Sequence, residues 1–242
     1  MSAFKVGIVS LIVGALGCLA IIVTPSWFPV AAAVQANRQD DLYLALMFMS
    51  SFIMAVVTVF MLYSVWRWRA RPGDEDRDGP AIHGNTMLEI AWTLVPFALV
   101  LGFAVAAGIV LVKNEETSKN ELVVTVTGQQ FAWTFTYPNG VVAHELVLEK
   151  GRPTEFKIRA LEHDVIHSFY VPQFRVKADA VPGQWNYTYA TPTRIGTYTV
   201  ICTELCGPGH SLMRAPVRVV SPTDFTKWLA SEKSQQSQQG GA

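Results

Sequence analysis

Between Leu42 and Trp66 the sequence carries no charged side chain, and between Met87 and Val112 it carries one, Glu89. An α-helix rising ~1.5 Å per residue needs roughly 20 apolar residues to cross ~30 Å of hydrocarbon. Both stretches are long enough, and lipid satisfies no exposed backbone group, so each is predicted to be a membrane-spanning helix. A further apolar run, Val6 to Val23, follows Lys5 and is interrupted by Pro25 and Pro29. It reads either as a retained helix or as a signal peptide with Ala31, Ala32 and Ala33 as its cleavage site. Cys18, preceded by Ala15, Leu16 and Gly17, is a faint lipoprotein-like signal, but the apolar run continues beyond it.

Charge follows the same division. The chain has 19 basic and 19 acidic residues, so only 16% of it is charged, against about 25% in a soluble domain. Residues 1–112 hold six Lys/Arg and seven Asp/Glu, most of them in one loop: Arg67, Arg69, Arg71, Asp74, Glu75, Asp76, Arg77 and Asp78. Arginines close to helix ends mark the cytoplasmic side, which puts everything after Lys113 outside the cytoplasm. Trp66 and Trp68 then fit an interfacial belt. With half the residues hydrophobic, a disordered chain is excluded. The balanced charge argues against nucleic acid as a partner.

After Lys113 the pattern changes to short β-branched and aromatic runs: Leu122–Thr127, Phe131–Tyr137, Glu155–Ala160, Val165–Val171, Tyr187–Ala190, Thr197–Cys202 and Ala215–Val220. Alternation of Phe131, Trp133, Phe135 and Tyr137 predicts a strand with four aromatics on one face. Pro138-Asn139-Gly140 and Val181-Pro182-Gly183 read as turns. Many short strands without long helices between them predict a β-sandwich or small barrel. Ser221-Pro222 opens a short helix to about Ser231, and the Gln-, Ser- and Gly-rich end reads as disordered. The expected organisation is an apolar N-terminal segment (1–36), a helical hairpin (37–112), an all-β domain (113–231) and a tail (232–242).

Apart from Cys18, the cysteines are Cys202 and Cys206, and His210 and Met213 follow within the same twelve residues. Gly207, Pro208 and Gly209 make the segment a loop able to close on an ion. His167 lies 35 residues before Cys202, on a predicted strand. A disulfide would explain the cysteines alone. A zinc site of two Cys and two His would leave Met213 idle. Thiolate, imidazole and thioether together suit copper. A mononuclear blue-copper site uses one Cys, so a thiolate is left over. If both sulfurs bridge, the inventory serves two coppers, with a loop carbonyl such as that of Glu204 completing the set.

The segment from Cys202 to Met213 resembles the Cys-x-Glu-x-Cys-Gly-x-x-His-x-x-Met loop of the cytochrome c oxidase subunit II family. His167-Ser168-Phe169 with Val171-Pro172, Asp179-Ala180-Val181-Pro182-Gly183, and Ile82-His83-Gly84-Asn85-Thr86 through Glu89, Trp92 and Thr93 are similar to its other signature segments. The resemblance spans about 40–230. It implies a transmembrane α-helical hairpin followed by an all-β cupredoxin Greek-key barrel, in a multi-pass protein of a bacterial cell membrane. The barrel would hold a dinuclear copper A centre, with His167, Cys202, Cys206, His210, Met213 and the Glu204 carbonyl as ligands. The Glu204 side chain would bind a magnesium ion shared with subunit I, and Glu89 would serve proton uptake. Electrons from a cytochrome c would pass to haem in subunit I, where oxygen is reduced to water with proton pumping. The chain lacks the Cys-x-x-Cys-His signature of a c-type haem, so the donor is not fused to it.

Two positions depart from the family pattern. The tryptophan that normally opens its aromatic segment is Phe131 here, and Trp133 matches a later aromatic, which leaves the electron-accepting residue open between contact and core roles. Residues 113–242 hold thirteen basic and twelve acidic side chains, so long-range steering of a donor is expected to be weak. A tethered or complex-bound cytochrome c follows. Asp164 matches the family and reads as a donor contact or a turn residue. His83, His144 and His163 read as surface residues, with His163 the fallback ligand. A quinol oxidase subunit would lack the copper ligands. A membrane-anchored copper-delivery module would not need Glu89 and Trp92.

Overall fold

The computed structural model describes residues 3–24, 27–70, 72–73, 79, 81 and 83–239. Of the loop charges, Arg71, Asp74, Glu75, Asp76, Arg77 and Asp78 lie outside these residues, as do Pro25, Ile82 and 240–242. The chain forms two compact units, Met1–Trp27 with Asp41–Ile109, and Phe28–Asp40 with Val110–Ala242.

The first unit is helical. Helices α1 (Ala3–Val23), α2 (Val34–Trp68) and α3 (Thr86–Asn114) are each long and apolar enough to cross a membrane. Helix α2 begins before the charge-free stretch, so its first turns carry Arg38, Asp40 and Asp41. α1 packs on α2 with Gly14 against the Phe52 ring and Gly17 against Ser51. Asn85 caps α3, its Oδ1 accepting the Leu88 N–H at 3.1 Å, which satisfies one of the donors that a helix start leaves free.

The second unit is built from ten strands: β1 (Leu122–Gln129), β2 (Ala132–Thr136), β3 (Val142–Ala143), β4 (Leu146–Glu149), β5 (Thr154–Ala160), β6 (His167–Val171), β7 (Val176–Ala180), β8 (Asn186–Ala190), β9 (Gly196–Cys202) and β10 (Arg214–Val220). They form two five-stranded sheets, in the orders β3-β2-β1-β5-β8 and β4-β10-β9-β6-β7. β1 runs parallel to β5 and β4 parallel to β10; the other pairs are antiparallel. This is the two-sheet barrel expected of a cupredoxin. Inward positions alternate as the pleat requires, with Leu122, Val124 and Val126 on β1 and Ala215, Val217 and Val219 on β10 all buried. Trp133, Phe135, Phe156, Phe169 and Phe174 fill the space between the sheets.

Four features differ from the sequence expectation. β2 starts at Ala132, and Phe131 sits in the turn before it, 37% exposed, while Trp133, Phe135 and Tyr137 are buried as the alternation predicted. β6 starts at His167 rather than Val165, because Val165 and Ile166 belong to an exposed loop. β3, β4 and β7 are additional strands. The C-terminal helix α4 (Pro222–Gln239) runs on through residues read as a disordered tail. Gln236 explains the extension: its side chain accepts from Val142 N (3.2 Å) and donates to Val142 O (2.7 Å), pairing the exposed edge of β3. Phe225 and Trp228 of the same helix pack on the Tyr137 ring.

Residues 28–40 are part of this unit. Ala32 N–H donates to Gln173 O, Thr193 N–H to Ala32 O, and Val34 N–H to Thr191 O, with a β-bridge between Ala33 and Pro192. Ala32 and Ala33 are fully buried there, so the small side chains that read as a cleavage signal also have a packing reason. Arg175 closes the segment with bonds to both Asp40 carboxylate oxygens (2.9 Å each) and to Pro29 O (2.5 Å).

The two sheets are joined by Tyr137 at the end of β2, whose hydroxyl donates to Val147 O (2.9 Å) and accepts from Val147 N (2.7 Å) on β4. Burial raises the Tyr137 pKa well above that of an ordinary phenol, so the hydroxyl stays neutral and keeps both bonds. Tyr137→Phe would leave a buried N–H and C=O unpaired, a loss of about 1–3 kcal/mol. Chemical unfolding of the detergent-solubilised chain should show that loss, and an unchanged midpoint would contradict the bridging role.

Candidate metal centre

The candidate ligands are gathered by the pairing of three strands. β9 delivers Cys202 at its last position, opposite Phe169 of β6, whose first residue is His167. The loop that follows closes on itself: Cys202 N–H donates to Met213 O at 3.1 Å, and Thr203 N–H donates to Ser168 O at 3.0 Å. Gly207, at φ 130°, lets the chain reverse in a backbone region that side chains with a Cβ avoid. His210 N–H then donates to Gly207 O, and Met213 N–H to His210 O. The turn of 3₁₀-helix at His210–Leu212 therefore carries His210 on the loop and returns Met213 beside Cys202 at the start of β10.

The donor atoms converge. Cys202 and Cys206 are free thiols with their sulfurs 3.9 Å apart. His167 Nδ1 lies 4.0 Å from Cys202 Sγ, and His210 Nδ1 lies 3.6 Å from Cys206 Sγ. Met213 Sδ is 3.8 Å from Cys206 Sγ, and the Glu204 carbonyl oxygen 3.3 Å from Cys202 Sγ. The ligand atoms of His167, Cys202 and Cys206 lie within 4.8 Å of one another. His167 and Met213 are fully buried, Cys202 and Cys206 nearly so, His210 is half-buried and the Glu204 side chain is exposed. All six predicted ligand groups come together, and the cysteines are not joined as a disulfide.

Burial, and next the adjoining Cys202 thiol, push the Cys206 thiol up to about 11. A soft cation with affinity for thiolate would favour the ionised form and release protons on binding. The imidazoles have a ring nitrogen facing sulfur and the thioether is dry, so the donor set suits a soft or borderline metal ion. His167 Nε2 makes no aligned hydrogen bond; the nearest partner is Asp164 Oδ2 at 3.4 Å, an ion-pair distance. Burial opposes ionisation of Asp164, but the backbone N–H groups of Val165 and Gln130, followed by His167, hold its carboxyl below the usual range.

The two aromatic candidates separate. Trp133 is buried, stacked edge-on to His167 at 6.1 Å and to Phe169 at 5.9 Å. It is a core residue beside a candidate ligand, not a surface contact. Gly128 makes room for both rings, since a Cβ there would meet Trp133 at 3.0 Å and His167 at 3.2 Å. Phe131 is at the surface with its ring on the loop after Cys202, and a Cβ on Gly209 would meet that ring at 2.4 Å. Glu89 is exposed at the first turns of α3, its Oε1 accepting from Asn85 N at 3.3 Å. His163 and His83 are exposed, and His144 Nδ1 is 3.2 Å from Trp133 O. The sequence reading missed Gln130, whose backbone and side chain both bond to groups around the ligands. Its place between Gly128 and Phe131 was the available signal.

Comparison with known proteins agrees with this architecture. Residues 22–107 match the family model of the cytochrome c oxidase subunit II transmembrane domain, and residues 140–220 match that of its periplasmic domain. Cytochrome c oxidase subunit 2 of Synechocystis is 31% identical over an alignment covering 84% of this chain and 75% of the relative. That of Thermostichus vulcanus is 32% identical, with 83% and 76% covered. Among solved structures, the periplasmic domain of subunit II of cytochrome oxidase from Bradyrhizobium japonicum is 29% identical, covering 50% of this chain and 99% of its own, at a TM-score of 0.46. With the family's membrane and periplasmic regions following one another along a sequence that retains close to a third of its relatives' residues, the chain belongs to the cytochrome c oxidase subunit II family.

Proposed function

We propose that the chain is the electron-accepting subunit of a haem–copper cytochrome c oxidase. It takes electrons from a cytochrome c at a dinuclear copper A centre and passes them to haem in subunit I, which reduces oxygen to water and pumps protons. The observation that carries this reading is the pair of buried thiols 3.9 Å apart, ringed by two imidazoles, a thioether and a loop carbonyl. His167, Cys202, Cys206, His210, Met213 and the Glu204 carbonyl would hold the copper. When bound, the copper would supply one-electron redox chemistry at these residues.

The chain's own residues define how that chemistry is confined. Each thiol has its own imidazole neighbour, His167 for Cys202 and His210 for Cys206. The buried thioether of Met213 lies on the Cys206 side and the Glu204 carbonyl on the Cys202 side. Burial of Cys202, Cys206, His167 and Met213 excludes water, so little solvent has to reorganise as charge changes. Phe131, resting on the Gly209 backbone at the surface, is the contact for a docked donor in place of the family's tryptophan. Trp133 supports His167 from the core. The exposed Glu204 carboxylate is free to share a magnesium ion with subunit I, a cation that takes few protein oxygens. In this reading the β domain faces the extracytoplasmic side of a bacterial membrane, and Glu89 takes up protons at the start of α3.

Metal analysis of the purified full chain should find two coppers per chain, with a spin-resonance spectrum of one electron shared between them. One zinc and no copper would end the proposal. Cys202→Ser or Cys206→Ser should abolish that spectrum and stop oxygen uptake on cytochrome c. For Glu89, the expected outcome of Glu89→Ala is slower proton uptake at unchanged copper content, read by single-turnover proton release and metal analysis of the same preparation. Unchanged proton kinetics would leave Glu89 with only its hydrogen bond at the helix start.

A further inference from the structure

Gln130 occupies the turn between β1 and β2, on the sheet that bears none of the metal ligands. Its backbone N–H donates to Asp164 Oδ2 at 2.8 Å, and the same oxygen lies 3.4 Å from His167 Nε2. Its side-chain Nε2 donates to the carbonyl of Cys206 at 2.5 Å. A single residue thus holds, through Asp164, the approach to the histidine half of the site, and directly the cysteine half. Its neighbour Phe131 lies on the same loop at Gly207 and Gly209. A turn glutamine at the surface ordinarily has its amide in water. Here both of its donors are directed at the groups that bracket the ligands.

We propose that Gln130 is a positioning residue of the metal centre: by tying the Cys206 carbonyl to the Asp164–His167 side, it presets the spacing between the two halves of the donor set. The physical argument is ordering. The loop from Thr203 to Gly209 includes an exposed Leu205 and two glycines, and its sides are closed by the bonds of Cys202, Thr203 and His210. Without the bond from Gln130, the Cys206 carbonyl loses its partner, and the metal itself would have to order that stretch. Partners of ligands that act in this way typically change metal affinity by 10–100-fold when removed.

This inference rests on the copper reading, and the test separates the two. Full-length chain in detergent is titrated with copper against a competing chelator, as wild type, as Gln130→Met (similar length, no donor) and as Gln130→Lys (similar length, donor kept). Spin-resonance spectra of the loaded forms and thermal unfolding of the copper-free forms are recorded alongside. Expected are an affinity lower by about 10-fold and an altered hyperfine pattern for Gln130→Met, with both restored towards wild type in Gln130→Lys. The copper-free unfolding midpoints should agree. Wild-type affinity and spectrum in Gln130→Met would overturn the positioning role while leaving the copper reading intact. A lowered copper-free midpoint with an unchanged spectrum would do the same, by reducing Gln130 to a structural part. Failure of the wild type itself to take up copper would overturn both.

Discussion

Two thiols, an imidazole and a thioether buried against one another form a poor core by themselves. They fill space, but burial keeps the Cys206 thiol from ionising, and the buried His167 Nε2 has no aligned hydrogen bond. Its backbone is held chiefly by main-chain bonds, with the side chain of Gln130 on the Cys206 carbonyl in addition. Cys202 is paired with Met213, Thr203 with Ser168, and His210 with Gly207, all through main-chain bonds. The β domain thus gathers its donor side chains on a loop braced by main-chain bonds and by Gln130.

The surrounding sheets carry that loop. β9 and β6 present Cys202 and His167 from one sheet, while the β1–β2 turn of the other sheet leans over them with Gln130 and Phe131. Backbone comes close to side chains at Gly128, beside the Trp133 and His167 rings, and at Gly207 and Gly209, beside the Phe131 ring. Substitution of tryptophan by phenylalanine at 131 changes the outermost aromatic but keeps a ring on the loop. Trp133, by contrast, stands between His167 and Phe169 in the core.

Much of this was legible in the sequence. The membrane helices follow from uninterrupted apolar runs, and the all-β character of the second half from alternation and turns. The candidate donors of the Cys202–Met213 loop follow from an unusual concentration of sulfur and imidazole in one segment. Less was legible where long-range contacts override local composition. The Gln- and Ser-rich tail is helical to Gln239 because Gln236 pairs the edge of β3, a contact with residue 142 that no local pattern encodes. Ala31 to Ala33 read as a cleavage signal, yet Ala32 and Ala33 are also buried partners of residues 173, 192 and 193.

By itself, the sequence determined the chemistry: which stretches can enter lipid, which segments alternate as strands, and which side chains can hold a soft metal. These are properties of residue type and spacing, and they survive without coordinates. Only the tertiary structure decided which donors meet. His167 comes to Cys202 because β6 pairs with β9, Trp133 is core because β2 faces inward there, and Gln130 reaches Cys206 because two sheets close over one loop. Such contacts join residues dozens of positions apart, and their geometry comes from sheet register and packing, which no local stretch of sequence contains.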